Sequence, residues 1–316
     1  MKTDSSNNEI SNGVNTKNKR AVVTGGAGFI GSHLVEALLK EGYEVSVIDS
    51  LVAGKREHVP DGAVLHIVDV RDADALPELL KDASVVFHLA ALPSVEYSIK
   101  NPVETHNVNV TGTVNVLASA GEEARVVFAS SAAVYGDTEV PMVSEDLPAA
   151  PVNPYGLHKY VSERYLALAS KLYGTETVSL RFFNAYGPRL NPDGPYAAVV
   201  GRFLKLRAEG KPLTIVGDGG QTRDFIHVYD IVAALIKAGE SPLIGGGEAI
   251  NIGTGRGTSV NELADAFGGA REHLPARKEI RDSCADVSRA KELLGFTAAV
   301  SLADGIAEMK RGWHIV

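Results

Sequence analysis

Apolar residues after Arg20 fall into short, nearly continuous runs that alternate with longer stretches of helical period. The runs rich in valine, isoleucine and phenylalanine are predicted to be strands, at 20–24, 44–49, 63–69, 84–90, 125–130 and 177–182. Few polar residues interrupt these runs, so both faces of each strand should be covered, as in a parallel sheet with crossover helices. Helices are predicted over 31–41, 102–122 and 155–172, and Gly174 should end the last of them.

The pattern loosens after about residue 182, where connections rich in proline and glycine separate shorter helices. Loop-rich segments of this kind often carry ligand specificity, so a second, smaller lobe is expected there. The predicted fold class is α/β, a doubly wound parallel sheet of the Rossmann type with a smaller α/β substrate lobe. The predicted division is a mobile tail at 1–18, a Rossmann domain at 19–181 and about 224–253, and a substrate lobe at about 182–223 and 254–316.

Composition narrows the classes of partner. The formal net charge of -8 argues against a nucleic-acid surface, which needs a basic stripe, and favours a small molecule. Cys284 is the only cysteine, so no intrachain disulfide is expected, and its thiol should be buried packing. The sequence has no run of about eighteen apolar residues, so no membrane partner is expected and the cytoplasm is the predicted location. The nine histidines lack the spacing of metal ligands, and no metal is expected.

The segment TGGAGFIGSHL, residues 24–34, lies where a predicted strand ends and a predicted helix begins. Gly25, Gly28 and Gly31 have the G-x-x-G-x-x-G spacing that permits a tight turn and a close approach of backbone N–H groups to a pyrophosphate. The amino terminus of the following helix offers partial positive charge to the same phosphates. This context predicts a dinucleotide site.

Asp49 ends the next predicted strand, where an acidic side chain accepts hydrogen bonds from the adenosine ribose and repels a 2'-phosphate. NAD is therefore the predicted cofactor. Lys55 and Arg56 follow closely enough to leave NADP open, although a solvated loop is their expected role.

Tyr155 and Lys159, in NPYGLHK, are four residues apart and so share one helical face. Ser131 follows the predicted strand at 125–130, at the edge of the sheet where doubly wound folds bind their ligands. The Tyr-x-x-x-Lys spacing alone is weak evidence. Combined with the glycine turn and the serine, it predicts a catalytic group of Ser131, Tyr155 and Lys159.

With these residues in place, the chain resembles the extended short-chain dehydrogenase/reductase family from about residue 20 to about residue 295. Within that family it is most similar to nucleotide-sugar epimerases of the UDP-glucose/UDP-N-acetylglucosamine 4-epimerase type. The matching segments are TGGAGFIGSHL, VIDSL, HLAALPSVEYS, NVNVTGT, SSAAVYGD, NPYGLHK, LRFFNAYGPR, GDGGQTRDFIHVYD and IRDSCADVSRAKELLGF.

The resemblance implies two sets of ligand contacts and a homodimer formed by the helices at 102–122 and 155–172. The expected NAD contacts are Gly25, Gly28, Phe29, Ile30, Gly31, Asp49, Ser50, Asp69, Val70, Leu89, Ala90, Ala91, Pro93, Asn109, Tyr155, Lys159 and Phe182. The expected UDP-sugar contacts are Val95, Ser131, Tyr155, Asn184, Val199, Thr214, Arg223, Arg281 and Ser283.

Three features of the sequence bear on the substrate. The family's dehydratases and decarboxylases typically carry an acidic residue where this chain has Ala132 and Ala133, so the resemblance implies simple epimerisation. Either Arg277 or Arg281 could reach the diphosphate, because the family's glycine is missing between them. Ser283 matches the position that gates pocket size, and its small side chain resembles the forms that admit N-acetyl sugars.

The expected reaction is NAD-dependent interconversion of the C4 configuration of UDP-hexoses through a transient 4-keto sugar. UDP-glucuronate 4-epimerisation, another NDP-sugar oxidoreduction and a non-catalytic NAD-sensing role are the alternatives. For Tyr155 to act as a base near pH 7 its pKa must fall from about 10, which corresponds to roughly 4 kcal/mol. The ammonium of Lys159 would supply on the order of 3 kcal/mol of this, which is marginal alone. The oxidised nicotinamide is a second cation, so the strength of the base should depend on the redox state of the cofactor.

Two further expectations concern the helix at 155–172. The apolar side chains of its stripe should mostly face the core, namely those of Leu157, Val161, Tyr165, Leu168 and Leu172. His158 is expected to be a surface residue.

Overall fold

The computed structural model describes residues 19–192, 199–276 and 280–315. Its strands are β1 Arg20–Thr24, β2 Glu44–Ile48, β3 Val64–His66, β4 Val85–His88, β5 Arg125–Ser131, β6 Met142–Val143, β7 Thr177–Phe182, β8 Asn184–Tyr186, β9 Leu213–Val216, β10 Thr222–Arg223, β11 Phe225–His227, β12 Gly246–Ile252, β13 Thr258–Ser259, β14 Arg271–Leu274 and β15 Asp282–Ala285. Its α-helices are α1 Phe29–Lys40, α2 Leu76–Leu80, α3 Val95–Lys100, α4 Pro102–His106, α5 Gly112–Ser119, α6 Pro154–Tyr173, α7 Val199–Ala208, α8 Val228–Glu240, α9 Val260–Phe267, α10 Ser288–Leu294 and α11 Leu302–Gly312.

A seven-stranded parallel sheet in the order β12-β7-β5-β4-β1-β2-β3 forms the centre of the fold. The predicted α/β class with a doubly wound sheet is confirmed, and all six predicted strands belong to this sheet. β3 is shorter than the predicted run at 63–69. The strand order reverses between β1 and β4, which places the ends of these two strands beside a crevice suited to a ligand.

Both faces of the sheet are buried, because neighbouring residues of one strand point into different cores. Ala21 and Val23 of β1 belong to a core with α1, α8 and α10, whereas Val22 belongs to a core with α2, α5 and α6. This arrangement explains why the strand sequences are apolar almost throughout.

A third core lies between α7, α9, α11 and strand β9, around Phe203, Phe267 and Ile306. Three small sheets accompany it, and one of them joins β6 to β15. Helix α10 packs on the main core through Ala290 and Leu294. The predicted boundary had assigned this helix to the substrate lobe, and the division into two lobes stays a prediction. In the described ranges, no helix combines the length and hydrophobicity needed to cross a membrane.

Helix α6 begins as predicted, because the Asn153 side chain accepts a hydrogen bond from the Gly156 N–H at 2.9 Å. It ends at Gly174, whose φ of 73° is the left-handed conformation that favours glycine. The predicted helix at 102–122 is instead α4 and α5, joined by a π-helical turn at Asn107–Thr111.

The apolar stripe of α6 is exposed, and the prediction that it faces the core was wrong. Leu157, Leu168 and Leu172 are 48, 47 and 63% exposed, while Lys159 and Glu163 are buried. The helix turns its polar side towards the sheet because the candidate functional groups lie there. Hydrophobicity alone therefore indicated the wrong face.

Candidate functional site

The glycine turn connects β1 to α1 and lies against the loop after β4. Gly25 has a φ of 71°, and a Cβ atom there would lie 2.7 Å from the backbone nitrogen of Ala90. A Cβ on Gly31 would lie 2.2 Å from the carbonyl oxygen of Gly25. Only glycine fits these two positions, so the backbone of the turn remains open to a ligand at close range.

The first turn of α1 provides the donors expected for a pyrophosphate. The N–H groups of Phe29, Ile30 and Gly31 precede the first intrahelical hydrogen bond, from Ser32 N–H to the Gly28 oxygen at 3.1 Å. Gly28 has no side chain to cap them. The predicted phosphate contacts therefore fit the structure.

Asp49 ends β2 and is held against the glycine turn. Its carboxylate accepts the N–H of Ala27 at 3.0 Å and the N–H of Leu51 at 2.8 Å, one on each oxygen. Each oxygen keeps a lone pair for a ribose hydroxyl. Ser50, next in the chain, is exposed, as are Lys55 and Arg56 in the loop that follows.

The remaining residues predicted for the cofactor lie along the same edge but differ in what they contact. Asp69 binds Arg71 through both carboxylate oxygens, at 2.9 and 2.7 Å. Val70 is buried against Gly112. Leu89, Ala90 and Ala91 follow β4 directly, Pro93 is exposed, and Phe182 at the end of β7 is buried in the main core.

Asn109 acts on the loop after β4 through its side chain. Its Oδ1 accepts the N–H of Leu92 at 2.7 Å, and its Nδ2 donates to the Leu92 oxygen at 3.1 Å. The oxygen and the nitrogen of the Asn109 amide thus both form hydrogen bonds with the backbone of Leu92. Asn109 thereby holds the loop after β4 in place, and its predicted contact with the cofactor stays a prediction.

Ser131 and Tyr155 meet at the carboxyl end of β5, as predicted. The Ser131 side chain lies close enough to the Tyr155 phenol to lower its pKa, and its oxygen accepts the N–H of Ala133 at 3.2 Å. Gly156 makes this possible, because a Cβ there would lie 2.4 Å from the Ala133 oxygen and would push α6 away from the turn at 132–135. Ser98 of α3 fixes the same end of α6 by accepting the Tyr155 N–H at 3.1 Å.

Lys159 completes the predicted group, one helical turn after Tyr155. Its ammonium donates to the Ala129 oxygen of β5 at 2.6 Å and lies 4.6 Å from the centre of the Phe128 ring. Burial lowers the pKa of Lys159 to about 7, and the Glu163 carboxylate opposes this effect.

The predicted lowering of the Tyr155 pKa by Lys159 is not found. Burial raises the pKa of Tyr155, and the neighbouring Ser131 side chain lowers it by less. A lysine whose own pKa is near 7 carries only part of a positive charge at neutral pH. Desolvation therefore outweighs the attraction that was expected between the pair.

A buried histidine that the sequence reasoning missed connects the glycine-turn strand to α5. His88 Nδ1 lies 2.7 Å from Thr24 Oγ1, and its Nε2 lies 2.9 Å from Thr113 Oγ1. Burial, reinforced by the charge of Lys159, lowers the pKa of His88 to about 3, so the ring is neutral at pH 7. Its position in HLAA, directly before a predicted cofactor loop, was the available signal.

A buried ion pair was also missed. Glu163 of α6 binds Arg181 of β7 through two hydrogen bonds, of 2.9 and 2.7 Å, and accepts the Ser130 hydroxyl at 2.5 Å. Arg181 Nη1 also donates to the Tyr135 hydroxyl at 2.8 Å, which donates in turn to Asn251 Oδ1 at 2.7 Å. The spacing Tyr155, Lys159, Glu163 would have placed this carboxylate on the same helical face.

Three residues predicted for the substrate lie close together at the ends of the short strands. Arg223 of β10 is paired in register with Ser283 of β15. Asn184 donates through its backbone and its side chain to the Asp224 oxygen, at 3.0 and 3.1 Å. The structure therefore brings Asn184, Arg223 and Ser283 into one group.

The other predicted substrate residues are more dispersed. Arg281 is exposed and forms an ion pair with Asp218 at 3.0 Å, while Arg277 lies outside the described residues. Thr214 lies on β9, and its hydroxyl is buried without a hydrogen-bond partner among the described residues. Val199 begins α7, and Val95 begins α3, the helix that contacts the amino-terminal end of α6.

Asp224 is a further residue that the sequence reasoning missed. Its fully buried carboxylate accepts three backbone N–H groups, from Thr254, Gly255 and Ala285, at 2.8 to 3.2 Å. It thereby ties β15 to the loop after β12, beside Arg223. Cys284 is buried next to it, as predicted.

His158 is buried, and the prediction of a surface residue was wrong. Its ring packs edge to face against His106 of α4, with ring centres 5.4 Å apart. The sequence could not show this contact, since it depends on how α4 crosses α6.

Comparison with known proteins adds independent evidence. Residues 21–253 match the family described as the NAD dependent epimerase/dehydratase family. The chain is 40% identical over 296 residues to a putative UDP-glucose 4-epimerase of Methanocaldococcus jannaschii, covering 90% of this chain and 95% of that protein.

Two solved structures have closely similar folds. The UDP-glucose 4-epimerase of Thermotoga maritima with UDP-glucose is 35% identical, with a TM-score of 0.87, covering 93% of this chain and 98% of that one. The UDP-glucuronic acid 4-epimerase of Bacillus cereus, in complex with UDP-glucuronic acid and NAD, is 33% identical, with a TM-score of 0.82, covering 92 and 99%.

Proposed function

The chain belongs to the NAD dependent epimerase/dehydratase family, and we propose that within it the protein interconverts the C4 epimers of a UDP-hexose, UDP-glucose and UDP-galactose. The observation that carries the proposal is that Ser131 lies close enough to Tyr155 to act on its pKa, with Lys159 one turn further along α6 and bound to the same strand, β5, at 2.6 Å. This group lies at the carboxyl ends of the parallel strands, on the same edge as the glycine turn.

NAD, the cofactor of the family, fits the residues of this edge. The glycine turn leaves its backbone open, the first turn of α1 offers N–H donors, and Asp49 retains acceptors for a ribose. Oxidised NAD, when bound, supplies a hydride acceptor and a second positive charge near the phenol. The carboxylate of Asp49 disfavours the 2'-phosphate of NADP.

In the proposed reaction, Tyr155 acts as the phenolate and takes the proton of the sugar 4-hydroxyl, and NAD held by the glycine turn would accept the hydrogen of C4 as a hydride. Ser131 donates a hydrogen bond to the reacting oxygen and orients the phenol. The product of this step is a 4-keto sugar. Tyr155 returns the proton to the oxygen after the sugar has turned within the pocket, and reduced NAD would return the hydride to the opposite face of C4, so the C4 configuration would be inverted without net oxidation.

We assign Asn184 and Arg223 to the diphosphate of the substrate and Ser283 to the sugar. Arg223 is the charge partner proposed for the diphosphate, since a guanidinium can bind two phosphate oxygens at once. Ser283, its direct neighbour across the β10–β15 ladder, is small and leaves room for a bulky sugar substituent. We include UDP-N-acetylglucosamine and UDP-N-acetylgalactosamine among the proposed substrates for this reason.

The proposal is tested by incubating the purified protein with UDP-galactose, UDP-N-acetylgalactosamine or UDP-glucuronate, without added reductant, and separating the products. Conversion of UDP-galactose to UDP-glucose supports the proposal. Turnover of UDP-glucuronate alone would assign the protein to the reaction of the Bacillus cereus neighbour. Tyr155→Phe should abolish turnover while NAD stays bound, and retained activity would remove Tyr155 from its role.

We further propose that the protein is a homodimer through α6 and the α4–α5 region. The exposed stripe of Leu157, Tyr165, Leu168 and Leu172 supports this, together with Val103 of α4, which is 73% exposed. A contiguous apolar face of this kind is costly in water, and a second copy of the same face would cover it.

A further inference from the structure

The geometry points to Glu163 as a positioning residue for the proposed reaction: pinned by Arg181 and Ser130, its carboxylate keeps the side chain of Lys159 in the ammonium form and in place against β5. The inference rests on the proposed function, since it concerns the lysine assigned to that reaction. It adds a role for a buried ion pair that the reaction itself does not use.

The two side chains are fixed to consecutive residues of one strand. Lys159 and Glu163 are one helical turn apart and both are at least 95% buried. Lys159 donates to the backbone oxygen of Ala129, and Glu163 accepts the hydroxyl of the next residue, Ser130. The contact between α6 and β5 therefore sets the positions of the ammonium and the carboxylate together.

Arg181 holds the carboxylate from the other side. Its guanidinium forms two hydrogen bonds to Glu163, and its remaining terminal nitrogen donates to Tyr135. The side chains of Glu163 and Arg181 are 5 and 7% exposed. Glu163 thus acts on two buried cations, Arg181 by direct contact and Lys159 through its charge, and its removal would take this charge from both.

The other titratable groups around Lys159 do not provide a negative charge at neutral pH. His88 on β4 and His158 on α6 have pKa values lowered to about 3 and about 4, by burial first and in both cases also by Lys159, so both rings are neutral. Burial raises the pKa of Tyr155, so its phenol is neutral as well. Among the described groups that act on Lys159, Glu163 is the one that favours the ammonium form.

The test is a direct titration of Lys159 in the NAD-bound protein by NMR of lysine labelled with ¹³C at Cε, with Lys159→Met used to assign the signal. In the unsubstituted protein this lysine should titrate far below the others. In Glu163→Gln its midpoint should fall by about one pH unit or more, because the nearby opposite charge is lost. An unchanged midpoint would overturn the inference.

Two further variants separate charge from structure. Tyr135→Phe removes a hydrogen bond of Arg181 without changing a charge, so the midpoint of Lys159 should stay at its original pH. An equal shift in this variant would overturn the inference. The double variant Glu163→Gln/Arg181→Met removes both charges of the buried pair, so no unpaired charge is left at this place to prevent folding. It should retain a lowered midpoint, and recovery of the original midpoint would contradict the role of Glu163.

Activity provides a second measurement. If Lys159 must be charged, the basic limb of the pH profile of kcat should move to lower pH in Glu163→Gln by the same amount as the NMR midpoint. A profile that keeps its original basic limb while the midpoint falls would overturn the link between Glu163 and the reaction. If the unsubstituted protein converts no UDP-sugar, the proposed function fails, whereas the titration still decides whether Glu163 sets the charge of Lys159.

Discussion

Gly156→Ala is expected to separate Tyr155 from Ser131 without touching either side chain. The added Cβ would lie 2.4 Å from the Ala133 oxygen, whereas ordinary contact begins at 3.4 Å. One of the two segments must therefore move by about 1 Å, and a displacement of that size at a reacting group lowers kcat by roughly 100-fold. Overpacking of this kind should also lower the free energy of unfolding, by about 1 to 3 kcal/mol.

Gly312→Ala is the matched control, because Gly312 also lies in a helix but has nothing within 4 Å of the added Cβ. This variant should keep full activity and gain up to about 1 kcal/mol from helix propensity. The assay compares kcat for UDP-galactose and the amount of bound NAD, which should stay unchanged in both variants because the glycine turn is not affected. A Gly156→Ala protein with kcat within about threefold of the original value would refute the reasoning, since the rigid contact would then have relaxed at no cost.

Three other predictions concern the cofactor edge, the buried histidine and the exposed stripe. Asp49→Asn replaces one of two oxygen acceptors, so the N–H of either Ala27 or Leu51 loses its partner. The free energy of unfolding measured in urea should fall by about 1 to 3 kcal/mol, and calorimetry should show weaker NAD binding. An unchanged affinity for NAD would contradict the role of Asp49. His88 has a pKa near 3 in the folded protein and about 6.5 when unfolded, so the unfolded chain binds more protons between these values and stability should fall as the pH drops below 6.5. Relative to His88→Gln, the unfolding free energy should fall by about 1.4 kcal/mol per pH unit there, and parallel curves for the two proteins would argue against a neutral buried ring. Leu172→Glu should give monomers in sedimentation velocity. Leu243 is also 63% exposed but lies outside the stripe, so Leu243→Glu should leave the dimer intact. A dimer that survives in Leu172→Glu would place the interface elsewhere.

Local patterns were enough to predict much of the main sheet. Its six predicted strands are buried on both faces, so an unbroken apolar run was a sufficient signal. The seventh strand, β12, begins in the glycine run Gly245–Gly247, and those glycines indicated a connection. They serve a packing need in the fold, because a Cβ on Gly247 would lie 2.5 Å from the Cα of Ala167 in α6.

Some residues of the candidate site could be predicted from local patterns and others could not. The glycine turn, Asp49 and the group of Ser131, Tyr155 and Lys159 depend on spacing within one segment, which a sequence displays directly. The contacts of Glu163 with Arg181, and of Arg223 with Ser283, join segments far apart in the chain. Their partners follow from strand order and register, which no local pattern encodes.

The position of β12 at the border of the main sheet has a consequence for synthesis of the protein. β7 is buried along its whole length and pairs with β12 on one side, and residues 183–245 are made between the two strands. At ordinary translation speeds the ribosome needs roughly 3 to 12 seconds to add them. During that interval the nascent chain carries an apolar strand with unpaired backbone groups, a target for chaperones and a template for aggregation.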